Sequence, residues 1–196
     1  MANNLNRKWT MTGKPKIGGC LFRAPLGTPL PTDEKTALSA AFKSQGYLES
    51  SGFKRSIKKA FQTITAYGGD EVDSLRTAHG VSAAFSLIEV LNPDVADTIY
   101  GAQATVTPPT TTAGTKIAIA YSGDDDAENS VWVAEFAYKG KVKRVVLPNA
   151  QITTTEVTEE YKDDSIVAYP VELTIYRDDE TGKFFFEYTD DGVKAA

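Results

Sequence analysis

Along most of this chain apolar residues recur at every second position, the spacing of half-buried β-strands. The cleanest run is Val167, Tyr169, Val171, Leu173 and Ile175, all on one face. Pro170 falls on the opposite face, which places that strand at an edge or a bulge, because proline cannot donate to a ladder. A second run carries Trp132, Ala134, Phe136 and Tyr138 on one face of residues 131–138. The turn Lys139-Gly140-Lys141 leads from it into a strand over 142–147. Residues 116–121 form another strand. A last hairpin turns at 178–182 and returns through 184–188 to pair with the 167–175 strand. Near the start, Ile17 to Phe22 reads as one short strand between two extended arms, Gly13-Lys14-Pro15 and Arg23-Ala24-Pro25.

Two segments carry helix signals. Asn92 is a cap, Pro93 takes the first helical position, Asp94 sits in the first turn, Val95 and Ile99 make the buried stripe, and Gly101 stops it. Asp33 is the cap of a second short helix, with Leu38, Ala41 and Phe42 on one face and Gly46 as its stop. Residues 47–53 suggest a strand broken by Gly52. Residues 81–90 fit either period: Val81, Ala83, Phe85 and Leu87 alternate, while Val81, Ala84, Phe85 and Ile88 suit a helix. Residues 54–66 place Ile57, Thr63 and Thr65 on one parity and favour extended structure. They predict a long hairpin or loop turning at Gly68-Gly69-Asp70 and returning through 72–77. Its Lys54, Arg55, Lys58 and Lys59 are the densest basic cluster, either a solvated surface or a contact for an acidic neighbour. Residues 102–115 read as a linker or exposed loop, and residues 1–12 as an arm that orders against a partner. No repeat or second boundary divides residues 1–196, so the expectation is one mainly β (α+β) domain.

Charge sharpens this picture. Residues 1–60 hold 11 Lys and Arg against three acids, and the remainder holds 10 against 23, within a net charge of −5. A molecule with a basic part and an acidic part can attract its own copies head to tail. The acidic balance argues against duplex binding, which needs a concentrated basic surface. No apolar run approaches the roughly 20 residues of a membrane-spanning helix. The segment MANNLNRKWTM lacks the apolar stretch of a secretory signal. Cys20 is the only cysteine and reads as a small hydrophobe on a strand. His79 is the only histidine, with no nucleophile elbow near it, and reads as a surface or loop residue. Asp124-Asp125-Asp126-Ala127-Glu128 lacks the alternating spacing and central glycine of a calcium loop, which leaves a solvated tip. Gly18-Gly19 and Gly68-Gly69 match no phosphate loop. No cofactor, metal site or catalytic constellation is expected.

Several segments in a fixed order carry a resemblance. They are Gly13-Lys14-Pro15-Lys16-Ile17-Gly18-Gly19, then Phe22-Arg23-Ala24-Pro25-Leu26-Gly27-Thr28 and Leu30-Pro31-Thr32-Asp33. Tyr67-Gly68-Gly69-Asp70-Glu71-Val72, Phe85-Ser86-Leu87-Ile88-Glu89 and Leu91-Asn92-Pro93-Asp94-Val95 follow. Tyr100-Gly101, Gly140-Lys141-Val142-Lys143-Arg144 and Pro148-Asn149 complete the set. In order and spacing these resemble the major tail (tail tube) proteins of long, non-contractile-tailed phages infecting actinobacteria. The resemblance favours a strand over 81–90. It implies a β-sandwich or barrel-like domain with one flanking helix, an arm over residues 1–14 and a long hairpin. It further implies six-membered rings of this chain, stacked into a hollow tube through which genomic DNA passes without specific binding. The implied partners are further copies, a tape measure protein, and tail terminator and tip proteins, with no membrane contact. Candidate subunit contacts are Lys14, Lys16, Arg23 and Pro25 in the opening motif, and Lys54, Arg55, Lys58, Lys59, Gly68, Gly69 and Asp70 in the hairpin. Glu156, Glu159 and Glu160 are the acidic counterparts, and acidic charge is expected to line the lumen. Tyr67 stands where tryptophan is common in the family, and the immunoglobulin-like decoration that some relatives carry is not expected here. A different class, a secreted adhesion or carbohydrate-binding β-sandwich, would instead present aromatics such as Trp9, Tyr100 or Tyr121 at loop tips.

Overall fold

The computed structural model of the protein describes residues 9–123 and 127–193. In chain order the elements are β1 (Leu21–Pro25), β2 (Lys43–Ser44), β3 (Lys54–Thr65), β4 (Glu71–Leu87), α1 (Pro93–Tyr100) and β5 (Ala104–Thr107). They continue as β6 (Lys116–Ile119), β7 (Ser130–Tyr138), β8 (Lys141–Ile152), β9 (Tyr169–Ile175) and β10 (Phe186–Asp190). The protein is mainly β, with antiparallel pairing throughout and one short helix. Its large sheet has the order β2-β1-β7-β8-β9-β4-β3, and β5 pairs β6 separately.

Side-chain alternation explains how this sheet curls. Val81, Ala83, Phe85 and Leu87 of β4 and Tyr169, Val171, Leu173 and Ile175 of β9 are buried in one cluster with Trp132, Ala134, Val145 and Leu147. Phe85 and Trp132 meet with ring centroids 5.5 Å apart, so β4 and β7 face each other across the core. The strand reading of 81–90 holds for 81–87, where the alternating set is the buried one. β8 turns the corner between the two halves. Its first half pairs β10 and its last three residues pair β9, while β7 runs along its other edge. Opposite Ser130 and Trp132 stand Ala150 and Leu147, so β8 holds an extra residue around Pro148-Asn149. That bulge lets Leu147 and Ala150 face the same core. The β7–β8 hairpin closes with Lys139 (φ 51°) and Gly140 (φ 82°), the twist that suits a two-residue turn.

Several expectations need correction. No helix follows Asp33. Its carboxylate accepts from the amides of Lys35 and Thr36, an Asx-type turn, while the next residues lie as irregular chain. Leu38 and Phe42 still bury there, beside Val131, Val133 and Val146. Residues 47–53 form no strand. Instead residues 43–49 bridge the curled sheet: Lys43 and Ser44 pair β1, and Leu48 pairs Leu87 of β4. Gly46 (φ 70°) is the hinge between these pairings, and a Cβ there would collide with the Glu89 carboxylate. The opening strand begins at Leu21, and Ile17 is fully exposed. Within the supposed 102–115 loop, residues 104–107 pair with β6. The last strand pairs β8 and not β9, because β9 already has β4 and β8 as neighbours. Pro170 lies in a strand paired on both sides overall. Its own position is locally an edge, since β8 reaches only to Leu173.

The second layer is held electrostatically. Arg144 on β8 is completely buried, and its guanidinium donates to the Glu135 carboxylate and to the carbonyls of Asp33 and Thr36. Glu135 also takes the ammonium of Lys16 at 2.6 Å. These contacts fix the irregular 33–42 segment over the sheet. Thr36, by side chain and backbone, and the Lys35 amide hold the Asp33 carboxyl at about 2. Removing one member of a buried ion pair strands the other charge, at a cost of about 3–5 kcal/mol. Glu135→Ala is therefore expected to lower the urea midpoint strongly, and the double variant Glu135→Leu/Arg144→Met to recover much of the loss. A Glu135→Ala protein as stable as the parent would show that Arg144 is not dependent on this partner.

Candidate functional site

β4 is 17 residues long, and only its last seven are in the core. From Ile57 to Gly80 every residue is exposed, yet β3 and β4 stay paired from Lys54 and Ala84 out to Thr65 and Glu71. The result is a hairpin that projects from the domain. Two register shifts, at Ala60/Phe61 and Ile64/Thr65, add twist along it. Gly68 (φ 111°) and Gly69 (φ 97°) make its tip, where the Ala66 amide donates to the Asp70 carbonyl. The sequence expectation of a hairpin turning at this point agrees with this geometry; the first limb ends at Thr65, and the second runs on from Glu71 to Leu87.

The exposed limbs carry large apolar side chains: Phe61, Ile64, Tyr67, Val72 and Leu75 are each more than two-fifths exposed. Isolated two-stranded ribbons are marginal in water, and a free strand edge with apolar side chains invites pairing with another chain. β3 is such an edge, since it pairs β4 alone. Charge on the hairpin is unevenly shared. Lys54, Arg55, Lys58 and Lys59 all lie on β3, while Asp70, Glu71 and Asp73 lie at the tip and on β4, which also carries Arg76.

The proposed contact residues separate into free and engaged groups. Lys54, Lys58 and Lys59 project from the stem. Arg55 folds back instead, 2.7 Å from Glu187 and over the Phe185 ring at 3.9 Å, so it clamps the hairpin base to β10. Lys143 meets the same carboxylate at 2.7 Å, and these two cations hold Glu187 below the usual carboxylate range although its burial opposes this. Lys16 belongs to Glu135, and Arg23 to Asp97 at 3.0 Å. Lys14 rests over the Tyr138 ring, and Pro25 ends β1 on the surface. Gly68, Gly69 and Asp70 are at the tip as expected. On the acidic side, Glu156 is exposed and Glu160 pairs with Lys162. Residues 1–8 of the expected arm and 124–126 of the acidic tip lie outside the described residues.

Glu159 is different from its neighbours. It accepts from the hydroxyl of Tyr100 at 2.6 Å and from that of Tyr161, tying residues 153–168 to α1. These two bonds, Tyr100 first, hold its carboxyl below the ordinary range. Burial pushes the Tyr100 hydroxyl far up, and Glu159 adds to this. The Tyr100 ring also meets Tyr169 edge-on at 6.0 Å. Tyr100 is thus a half-buried structural residue, whereas Trp9 and Tyr121 are exposed. Among the described residues no group of His, Cys, Asp or Glu could hold a metal ion, and no helix is long and apolar enough to cross a membrane. No protein-family model matches this chain, and no curated protein is significantly similar to it.

Two outcomes follow from this geometry. A carboxyl whose pKa falls on folding adds stability above its unfolded pKa, and loses it as pH drops through the folded value. Tyr100→Phe should therefore flatten the stability loss between about pH 5 and pH 3, read from urea midpoints. An unchanged slope would mean the Tyr100–Glu159 bond is not linked to folding. Shortening the hairpin by joining Lys59 to His79 through Asn-Gly should move the thermal midpoint by less than about 4 °C, because nothing beyond the stem is in the core. A large fall would make the projecting limbs part of the folding unit.

Proposed function

We propose that this chain is a structural subunit that assembles with its own copies, as the tail tube subunit of a long-tailed phage. The observation that carries the reading is the projecting hairpin. Its large exposed apolar side chains and open β3 edge offer a surface that a second copy could cover. Covering such edges by ring closure is how β-assemblies avoid uncontrolled aggregation. The ordered motif resemblance supplies the particular assembly: hexameric rings, stacked into a conduit for the genome in the virion. In that setting tape measure, terminator and tip proteins are the further partners, and DNA passes without specific binding. The role is mechanical and not catalytic.

Electrostatics would assist stacking without dominating it. Exposed pairs contribute about 0–1 kcal/mol each, and salt screens them over roughly 10 Å at 0.1 M. Lys54, Lys58 and Lys59 are the cations of the β3 limb available for such contacts, since Arg55 is engaged at the base. Negative-stain electron microscopy of the purified protein over a range of concentrations is the first test. Rings or hollow tubes are expected, fewer at high salt and fewer in Lys58→Ala/Lys59→Ala. A monomer at every concentration, with or without initiating tail proteins, would overturn the reading and favour an adhesion module.

A further inference from the structure

Irregular pairing in the projecting hairpin decides which of its side chains share a face. Faces alternate along a strand, and directly opposed residues on paired strands lie on the same face. From the base outward, Arg55 stands opposite Ala83, Ile57 opposite Val81 and Lys59 opposite His79. Then β4 takes in one extra residue: Ala60 pairs Ala78, but Phe61 pairs Arg76. Because β3 runs on without an insertion, Phe61 stays on the Lys59 face, and the bulge turns Arg76 onto it. Counted by twos from Gly80 and Ala78, Arg76 would otherwise lie on the opposite face. The shared face continues through Thr63 with Ser74 and ends at Thr65 with Glu71.

At its base this face joins the end of β9. Val81 is paired on its other side by Ile175, and Arg177, two residues on, lies over the Phe184 ring at 5.4 Å. His79 meets the same ring at 4.9 Å. Lys59, Arg76 and Arg177 are thus interleaved with the rings of Phe61, His79 and Phe184, of which Phe61 and His79 are exposed. Carboxylates nearby are few or already engaged. Glu187 is shared by Arg55 and Lys143. Asp178 accepts from Thr181 within its own turn, while Asp179 and Glu180 are exposed there with Lys183. Glu71 lies about 13 Å beyond Phe61 at roughly 3.3 Å per residue, further than the screening length of about 10 Å at 0.1 M salt. Asp73 opposes Ile64 on the other face, which also carries Lys54 and Lys58.

We infer that this face of the hairpin binds single-stranded nucleic acid, with phosphates on Lys59, Arg76 and Arg177 and bases stacked on Phe61 and His79. A positive track alone attracts any polyanion. Aromatic rings set between the cations favour bases, because every base has a face to stack. The rings are what select a nucleic acid over an acidic protein surface. No base edge is read in such a contact, so it carries no sequence preference. It goes beyond the assembly proposed above and does not rest on it. The net charge of −5 conceals the track, since one register shift is needed to gather its cations.

The test is fluorescence anisotropy of the full chain with a labelled oligothymidine of about 12 nucleotides. Binding is expected at about 50 mM salt, with log K falling against log salt at a slope of about −2 for three cations. Lys59→Ala/Arg76→Ala should weaken binding about tenfold or more and reduce the slope to about −0.7. Phe61→Ala should weaken it about tenfold and leave the slope unchanged. Lys54→Ala/Lys58→Ala removes the same charge from the opposite face and should change affinity less than about twofold. All five side chains are exposed, so the variants keep the fold, which circular dichroism verifies. Equal losses in the two double variants would reduce the effect to net charge and overturn the inference. A duplex with oligodeoxyadenosine that binds as tightly as the single strand would show that the rings take no part, and overturn it too. Displacement of the oligonucleotide by polyglutamate of equal charge would point instead to an acidic protein partner. No binding of the parent protein at low salt would end the proposal outright.

Discussion

The hairpin can project only because one continuous strand is anchored at one end. The last seven residues of β4 bury alternate side chains against β7 and β9, with Phe85 on Trp132 at the centre. Its first ten residues lie in water, held straight by cross-strand hydrogen bonds to β3 and by little else. Those bonds are each modest in net worth, but they are laid down in register from a fixed base. Arg55 reinforces that base by closing onto Glu187 and Phe185. The interior thus determines the direction in which the exposed surface is presented.

The opposite face of the sheet is organised by a buried charge. Arg144 is fully enclosed, and it replaces the helix that a cap at Asp33 would have begun. Its donors take the Asp33 and Thr36 carbonyls, so residues 33–36 have their polar groups satisfied without a helical ladder. A buried guanidinium with several partners is a strong constraint on geometry even where its net contribution to stability is small. Here it fixes an irregular covering segment, and Phe42 and Leu38 fill the space beneath it.

Together these features give a domain with two unlike ends. One carries a long ribbon with a basic β3 stem and a carboxylate-bearing tip, and the other an acidic groove lined by Tyr100 and Glu159. Unlike ends on one rigid body are what a polar filament requires.

What the sequence determined by itself is the set of local patterns with a single physical solution. The alternating faces of β7 and β9, the Asn92-Pro93 start of α1, the Lys139-Gly140 turn and the Gly68-Gly69 tip all depend on neighbours in the chain. Tertiary structure decided the cases where local rules were balanced or silent. Residues 81–87 became a strand because the alternating set, and not the helical one, met Trp132 and Val171. The Asp33 turn failed to continue as a helix because Arg144, more than a hundred residues away, claimed its carbonyls. β10 went to β8 because both edges of β9 were already occupied, and residues 104–107 became a strand because β6 lay beside them. Long-range ion pairs were invisible in the sequence: the carboxylates that meet Lys16, Arg23 and Arg55 lie 74 to 132 positions away. Only a folded chain brings such pairs together, and nothing in their local spacing encodes it.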